Sequence, residues 1–278
     1  MKKILVPCDF SDAAIHAFRF AIDVAAMSGG EILLLHVVET PVSADTILMP
    51  TLYFEQEMLD DLKAAANVKF KALKDKWLKN SDVHVSTFVE YGDVNYTLHQ
   101  YVTKKKADLI IMGTKGATGA KEFFVGSNTE KVVRKSKVPV IAIKQYVKPA
   151  SIRSIVFPTG LQKEKDPLIM NVKQLQDFFS AELHLVYVNT PAIFRSDIHT
   201  RKALKDFKAR YMLKNTTTAI WNDIDYSSGI IHYAHEIGAD MVAMATHGRR
   251  GLNHLLVGSV AEDVVNHIDY PIWTIVEK

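Results

Sequence analysis

The chain contains one internal repeat whose matching stretches follow in the same order, and this limits its fold more than any other feature. The matching stretches are 151 residues apart near the start of each copy and 132 residues apart further on. They are Lys3–Pro7 with Ser154–Pro158, Glu31–Val37 with Glu182–Val188, Ala107–Met112 with Ala239–Met244, Val125–Ser127 with Val257–Ser259, and Val138–Val140 with Tyr270–Ile272. A repeat of this length indicates a duplicated domain, not a short-period solenoid. We therefore predict two domains, residues 1–147 (the first copy) and residues 151–278 (the second copy), joined near Pro149.

The composition predicts the cellular compartment and excludes some classes of binding partner. The chain has 34 basic and 31 acidic residues, a net charge of +3, which is too balanced for a nucleic-acid or membrane-surface binder. Its longest apolar runs fall far short of the roughly 18 residues that span a bilayer. The apolar start of the chain is too short for a signal peptide. A single cysteine excludes an intrachain disulfide framework. We expect a cytoplasmic protein that contacts neither nucleic acid nor membrane.

Short apolar runs alternate with helical patterns in each copy. In the first copy the runs that predict buried strands are 4–7, 32–38, 83–89, 108–112 and 138–143. Helices are predicted from the Ser11 cap to Gly29, over 55–79, from the Asp93 cap to 106, and from Gly126 to 135. Apolar strands that alternate with helices are typical of a parallel sheet covered on both faces. We predict the α/β class, with two tandem, doubly wound, five-stranded parallel-sheet domains and ligands outside the carboxyl ends of the strands.

The loop after the fourth predicted strand combines glycines with hydroxyl side chains, from Gly113 through Lys115 and Gly116 to the stretch 126–129. Glycine lets backbone amides approach a phosphate closely and adopt positive φ, and a helix that begins at Gly126 offers N–H groups to an anion. We expect the hydroxyls of Ser127 and Thr129 to donate to phosphate oxygens, and Lys115 and Lys121 to supply positive charge. The loop is neither a Walker A motif nor a Rossmann loop, because it lacks Gly-Lys-Ser/Thr and does not follow the first strand. A plain turn before a capped helix is the alternative.

The spacing Gly, two residues, Gly, nine residues, Gly-Ser in this loop, with the opening Ile4–Ser11, resembles the universal stress protein family. The resemblance covers the whole chain as two tandem copies. It implies a first-copy site for ATP, or for ADP or AMP, with Mg²⁺ on the phosphates. It also implies that Asp9 contacts the adenosine moiety, that Val37 contacts the base, and that backbone around the loop encloses the ribose and phosphates. The implied site residues are Pro7, Asp9, Val37, Met112, Gly113, Lys115, Gly116, Gly126, Ser127, Asn128 and Thr129.

Asp9 has a role that follows from its chemistry alone, since a carboxylate accepts hydrogen bonds from a ribose hydroxyl or an adenine amine. The alternative is a cap at the start of the first helix. The second copy departs from the pattern at two positions: Gly160 stands where the first copy has Asp9, and Ala245 stands where it has Gly113. Arg249 and Arg250 still offer charge to an anion there. We expect a weakened or absent nucleotide site in the second copy.

These patterns predict a cytosolic stress-response protein that acts as a nucleotide-dependent regulator for an unidentified protein partner. No side chain is placed as a general base, so efficient catalysis is not expected, although slow ATP hydrolysis is left open. The alternative function is a nucleotide-free interaction scaffold in which both loops are structural. In family members the last strand pairs across a dimer. We expect the two copies to make this pairing within one chain, as a pseudo-dimer, and a homodimer of whole chains is left open.

Two further features of the sequence, a histidine pair and the single cysteine, have both structural and functional interpretations. His232 and His235 lie three residues apart on a predicted helix, a spacing that suits two metal ligands, but a solvated helix face explains them better. Cys8 lies beside Asp9, where a reactive thiol and a small buried residue are both open interpretations, and the second is favoured. We therefore predict no metal site and no catalytic residue.

Overall fold

A computed structural model describes residues 1–39, 52–114, 126–162, 164, 166–247 and 257–277. The first copy contains β1 (Lys3–Pro7), α1 (Asp12–Ser28), β2 (Glu31–Val38), α2 (Leu52–Trp77), β3 (Val85–Tyr91), α3 (Val94–Lys105), β4 (Leu109–Gly113), α4 (Ser127–Lys135) and β5 (Val140–Ile143). The second copy contains β6 (Ser154–Pro158), α5 (Asp166–Phe179), β7 (Glu182–Asn189), α6 (Asp197–Arg210), β8 (Thr216–Asn222), α7 (Tyr226–Glu236), β9 (Met241–His247), α8 (Val257–His267) and β10 (Ile272–Glu277).

The ten described strands form one sheet in the order β3-β2-β1-β4-β5-β10-β9-β6-β7-β8. Within each copy the neighbouring strands are parallel, and the strand order reverses beside the first strand of that copy. Doubly wound sheets place their ligand crevices at such a reversal, outside the carboxyl ends of the strands. The predicted α/β class, with two tandem parallel-sheet domains, is confirmed. The domain limits at residues 147 and 151 stay predictions.

The two copies join through their last strands. β5 and β10 pair antiparallel, with Trp273 opposite Ile141. Across the same joint the Thr246 hydroxyl donates to the Val133 carbonyl at 3.3 Å, and Lys144 Nζ donates to the Asn266 carbonyl at 2.6 Å. This arrangement fits the intrachain pseudo-dimer expected from the sequence.

Local capping signals set the helix ends. The Ser11 side chain accepts from the Ala14 N–H at 3.3 Å, and Asp93 accepts from the Tyr96 N–H at 2.7 Å, so both predicted N-caps are present. Gly29 ends α1 with φ of 59°, the left-handed conformation that glycine adopts without strain. β5 begins at residue 140 and not at the expected 138, because the Ser136 hydroxyl donates to the Val138 carbonyl in a turn.

An aspartate holds the amino end of the sheet in each copy. Asp108 Oδ2 accepts from the backbone N–H groups of Lys2 and Lys3, at 2.8 and 3.2 Å. Asp240, its counterpart 132 residues later, accepts from the N–H groups of Arg153 and Ser154 at 2.8 and 3.0 Å. The duplication therefore extends to individual hydrogen bonds.

The core has a different organisation on the two faces of the sheet. Under α1, α2, α5 and α6 it is one continuous cluster, which includes the fully buried Phe18 and Phe179 of different copies. The opposite face carries one cluster under α3 and α4 and another under α7 and α8. Within the described ranges, the helices are all too short or too polar to cross a membrane.

Candidate functional site

The carboxyl ends of β1, β2 and β4 lie together, because these three strands are parallel neighbours. The structure places most of the implied site residues at this edge or at the start of α4. These are Pro7, Asp9, Val37, Met112, Gly113, Gly126, Ser127, Asn128 and Thr129. Lys115 and Gly116, like Lys121, lie outside the described residues.

Backbone hydrogen bonds join the residues on either side of the glycine loop. The Gly126 N–H donates to the Thr114 carbonyl at 2.7 Å, and the Thr114 N–H donates to the Ile143 carbonyl at 3.0 Å. The Thr129 hydroxyl donates to the Gly113 carbonyl at 2.9 Å, and Thr129 is only 4% exposed. Thr129 therefore fixes the base of the loop in this structure. Its expected contact with a phosphate stays a prediction.

The N-terminus of α4 faces the same edge. Its cap is Gly126, and no side chain of the described residues caps the first turn with a hydrogen bond. The first N–H groups of a helix carry a partial positive charge that stabilises an anion. The side chain of Asn128 is already engaged: its Oδ1 accepts from Asn95 at 3.0 Å, and its Nδ2 donates to Glu39 Oε1 at 3.4 Å. An anion at this position would therefore bind to the backbone N–H groups of α4 and not to the side-chain amide of Asn128.

Packing requires a glycine at position 113, in addition to the role that is predicted for this residue toward a ligand. A Cβ on Gly113 would lie 2.6 Å from the carbonyl carbon of Ala13 and 2.8 Å from its oxygen. Real Cβ atoms do not approach backbone this closely, so glycine lets α1 pack directly on the end of β4. The second copy has Ala245 at this position, and its side chain packs against the core. In that copy the first helix, α5, begins later in the repeat than α1 does, at Asp166. The replacement of glycine by alanine is visible in the sequence, but the contact between Gly113 and α1 that explains it is not.

The turn after β1 is fixed by its aromatic residue. Phe10 has φ of 65°, and its ring lies 4.8 Å from the His36 ring and 5.1 Å from the Phe70 ring. Asp9 is exposed in this turn, and its Oδ1 accepts from the N–H and the hydroxyl of Ser11 at 3.0 and 2.6 Å. Asp9 therefore supports the turn before α1 but is not the cap of this helix, which is Ser11. Its role toward a nucleotide stays a prediction.

Cys8 is a buried core residue and not an exposed thiol. Its side chain is 3% exposed, and burial raises the pKa of the thiol to about 12. Thiols react as thiolates, so Cys8 is inert in the folded protein. The sequence interpretation as a small buried residue is confirmed.

The two copies differ most at the position that the family resemblance assigns to the base. Val37 is half-buried, whereas its counterpart Val188 is 1% exposed. α7 covers Val188 so closely that a Cβ on Gly229 would lie 2.4 Å from Val188 Cγ1. The first copy has Thr97 where the second has Gly229. The replacement of threonine by glycine is visible in the sequence, but its consequence for Val188 depends on how α7 packs on β7.

The histidines of α7 have partners within the chain. His232 Nδ1 lies 2.7 Å from Asp223 Oδ2, and His235 Nδ1 lies 2.7 Å from the Tyr270 hydroxyl. They therefore do not point together at one ion. Over the part of the chain that the structure describes, no three His, Cys, Asp or Glu side chains form a group that could hold a metal.

Comparison with known proteins places this architecture in a family. The sequence profile of the universal stress protein family matches residues 1–144 and 151–275. Two universal stress proteins of Methanocaldococcus jannaschii are each 30% identical to 52% of this chain, over 82% and 95% of their own lengths. A universal stress protein structure from Archaeoglobus fulgidus, 18% identical, covers 99% of this chain and 98% of its own with a TM-score of 0.77, which shows a common fold. Another universal stress protein, solved in complex with cAMP, is 18% identical over 51% of this chain and 96% of its own, with a TM-score of 0.39. The chain belongs to the universal stress protein family and carries two of its domains in tandem.

Proposed function

We propose that the first copy binds ATP, or the related ADP or AMP, and that the second copy does not bind a nucleotide. The observation that carries the proposal is the N-terminus of α4. It lies at the carboxyl edge of the sheet, without a side-chain cap among the described residues, directly after a loop closed by the Gly126–Thr114 hydrogen bond. A helix N-terminus in this position is suited to a phosphate.

Two side chains supply what a nucleoside needs at the same edge. Asp9 presents an exposed carboxylate, which can accept hydrogen bonds from ribose hydroxyls or the adenine amine. Val37 presents a half-buried apolar surface, against which a base can pack. In the second copy Gly160 lacks the carboxylate and Val188 is covered by α7. The proposed difference between the copies follows from these two positions.

Mg²⁺ fits this site as an ion that is bound through the phosphate oxygens of the nucleotide. The described residues offer no cluster of three protein ligands for the ion. Mg²⁺ keeps several waters and commonly binds through phosphate oxygens with one or two carboxylates. Glu39 places a carboxylate beside the first turn of α4, where its Oε1 accepts from Asn128 Nδ2 at 3.4 Å. When bound, the ion would neutralise phosphate charge.

The proposed role is regulation in the cytoplasm and not efficient catalysis. The described part of the site places no side chain as a general base toward a bound nucleotide, since the Thr129 hydroxyl is engaged and Cys8 is buried. A nucleotide that favours one conformation of the first copy would shift the population seen by a protein partner.

Thermal unfolding with and without millimolar Mg–ATP tests this proposal, because a ligand of the native state raises the midpoint. We expect a rise for the wild type and a smaller rise for Asp9→Ala and Gly126→Val. Gly160→Ala is the matched control in the second copy and should keep the full rise. No rise in the wild type contradicts the proposal. Equal rises in all four proteins would move the site to the second copy.

A nucleotide-free scaffold is the second candidate function. It is favoured by the coverage of Val188, which shows that one copy keeps the fold without an open base position. The scaffold predicts no shift with any adenine nucleotide and no loss of partner binding in Asp9→Ala.

A further inference from the structure

The charge of the chain is distributed unevenly between equivalent helices of the two copies. α6 (Asp197–Arg210) has five basic and two acidic residues, a net charge of +3 that equals the net charge of the whole chain. Its counterpart in the first copy, α2 (Leu52–Trp77), has five residues of each sign. The expectation of no membrane contact came from the overall charge, so it does not take account of this local excess.

Two lysines and an isoleucine share the outer side of α6. The residues of this helix that are buried against the sheet are Thr200, Leu204 and Phe207. Ile198, Lys202 and Lys205 follow the spacing i, i+4, i+7, which places them on the opposite side. All three are exposed, and within the described part of the chain neither lysine forms an ion pair. Their positive charge is therefore available to a partner.

The other charges of α6 are engaged or offset each other. Asp197 Oδ2 accepts from Arg201 Nε at 2.7 Å. Lys208 Nζ donates to the backbone carbonyl of the first residue of β8. Asp206 and Arg210 are both exposed and have opposite signs. The positive charge that this helix offers to a partner is therefore mainly that of Lys202 and Lys205.

An exposed apolar turn comes directly before α6. Nine consecutive residues, 191–199, are exposed, and they include Ile193 at 43%, Phe194 at 72% and Ile198 at 81%. Asn189, which is itself buried, fixes this turn: its Oδ1 accepts from the Arg195 N–H at 2.9 Å, and its Nδ2 donates to the Arg195 carbonyl at 3.3 Å. Large apolar side chains that a turn holds in water mark an interaction site.

We propose that the turn 191–196 and the outer side of α6 together form a docking surface for an anionic membrane. The two lysines decide the sign of the partner, because each ammonium group attracts the phosphates of anionic lipids. Phe194 and Ile198 decide its class. A nucleic acid offers phosphates but no apolar layer, whereas the interface of a bilayer offers both.

The shape of the surface favours a bilayer over an acidic protein. Because residues 191–199 are exposed without a break, their side chains project from the molecule and do not line a groove. A protein partner would need a separate pocket for each projecting side chain, whereas lipids adapt to them. The hydrogen bonds of Asn189 hold the turn in place before binding, which lowers the entropic cost of docking.

Cosedimentation with lipid vesicles tests the electrostatic part of the proposal. The full chain should bind vesicles of phosphatidylglycerol and phosphatidylcholine but not vesicles of phosphatidylcholine alone, and 0.5 M salt should weaken the binding. The double variant Lys202→Ala, Lys205→Ala should raise the lipid concentration for half-binding roughly 30-fold. Lys63→Ala, Lys71→Ala, at exposed positions of α2, is the matched control and should bind like the wild type.

Substitution of the apolar tip tests the class of the partner. Phe194→Ser should weaken binding to anionic vesicles at least fivefold, whereas Met58→Ser, at a 61% exposed position of α2, should not. Phe194→Trp should shift its fluorescence to shorter wavelength when these vesicles are added, and Met58→Trp should not. Because all these side chains are exposed, the thermal midpoints should stay at the wild-type value.

Three results would overturn the proposal. The first is a wild type that does not bind anionic vesicles at low salt. The second is vesicle binding that the control variants of α2 lose as much as the variants of α6 do. The third is equal binding to polyglutamate and to anionic vesicles, with neither changed by Phe194→Ser, which would assign the two lysines to an acidic polypeptide.

Discussion

Replacement of Gly113 by alanine separates the packing role of this residue from its proposed role at a phosphate site. The added Cβ would lie 2.6 Å from the Ala13 carbonyl carbon and 2.8 Å from its oxygen, both backbone atoms of the first turn of α1. Neither atom can move aside as a flexible side chain can, so α1 must shift away from β4. Overpacking of this kind typically costs about 1–3 kcal/mol. For a chain of this size, that corresponds to a thermal midpoint lowered by roughly 2–12 °C.

The assay is thermal unfolding of Gly113→Ala without nucleotide, followed by circular dichroism and by fluorescence. Gly160→Ala is the matched control, because no heavy atom lies within 4 Å of its added Cβ and its φ is not in the left-handed region. We expect it to be neutral or slightly stabilising, by up to about 1 kcal/mol. The reasoning is refuted if Gly113→Ala unfolds at the wild-type midpoint. If the same variant also loses Mg–ATP binding, Gly113 serves the ligand and not the packing of α1.

Three further predictions concern single side chains. Thr129→Val should destabilise the first copy by about 1–2 kcal/mol in urea unfolding, because it leaves the Gly113 carbonyl without its buried donor, whereas Thr129→Ser should recover most of the loss. Cys8 should react with a thiol reagent at pH 8 only at the rate of unfolding, since burial raises its thiol pKa to about 12; rapid labelling of the native protein would contradict its burial. Asp225→Ala should cost about 1 kcal/mol at neutral pH through loss of the α7 cap. Hydrogen bonds from Ser228 and Ser227 lower the Asp225 pKa, so this difference should disappear as the pH falls through the depressed pKa.

The repeat and the local signals were enough to predict most of the fold. Ser11, Gly29 and Asp93 act where the sequence placed them, because caps depend on residues only a few positions away. The pairing of the two last strands, β5 and β10, was expected from the family resemblance, whereas its antiparallel direction comes from the structure. These features can be predicted without knowing which helix packs against which strand.

The details of the site could not be predicted in the same way, because they depend on distances between elements far apart in sequence. The Thr129 hydroxyl has one donor proton, and only the fold shows that the Gly113 carbonyl receives it. The same holds for the contact between Gly113 and α1, and for the coverage of Val188 by α7. In each case the residue type was noticeable in the sequence but its partner was not.

The central claim is that two similar halves have unequal sites, and the stoichiometry of nucleotide binding tests it most directly. Isothermal titration of the full chain with Mg–ATP should give one site per chain, and that site should be lost or weakened at least tenfold in Asp9→Ala. The same titration of Gly160→Ala should match the wild type. Two sites per chain would contradict the closure of the second copy at Val188, and an absence of binding would contradict the nucleotide site in the first copy.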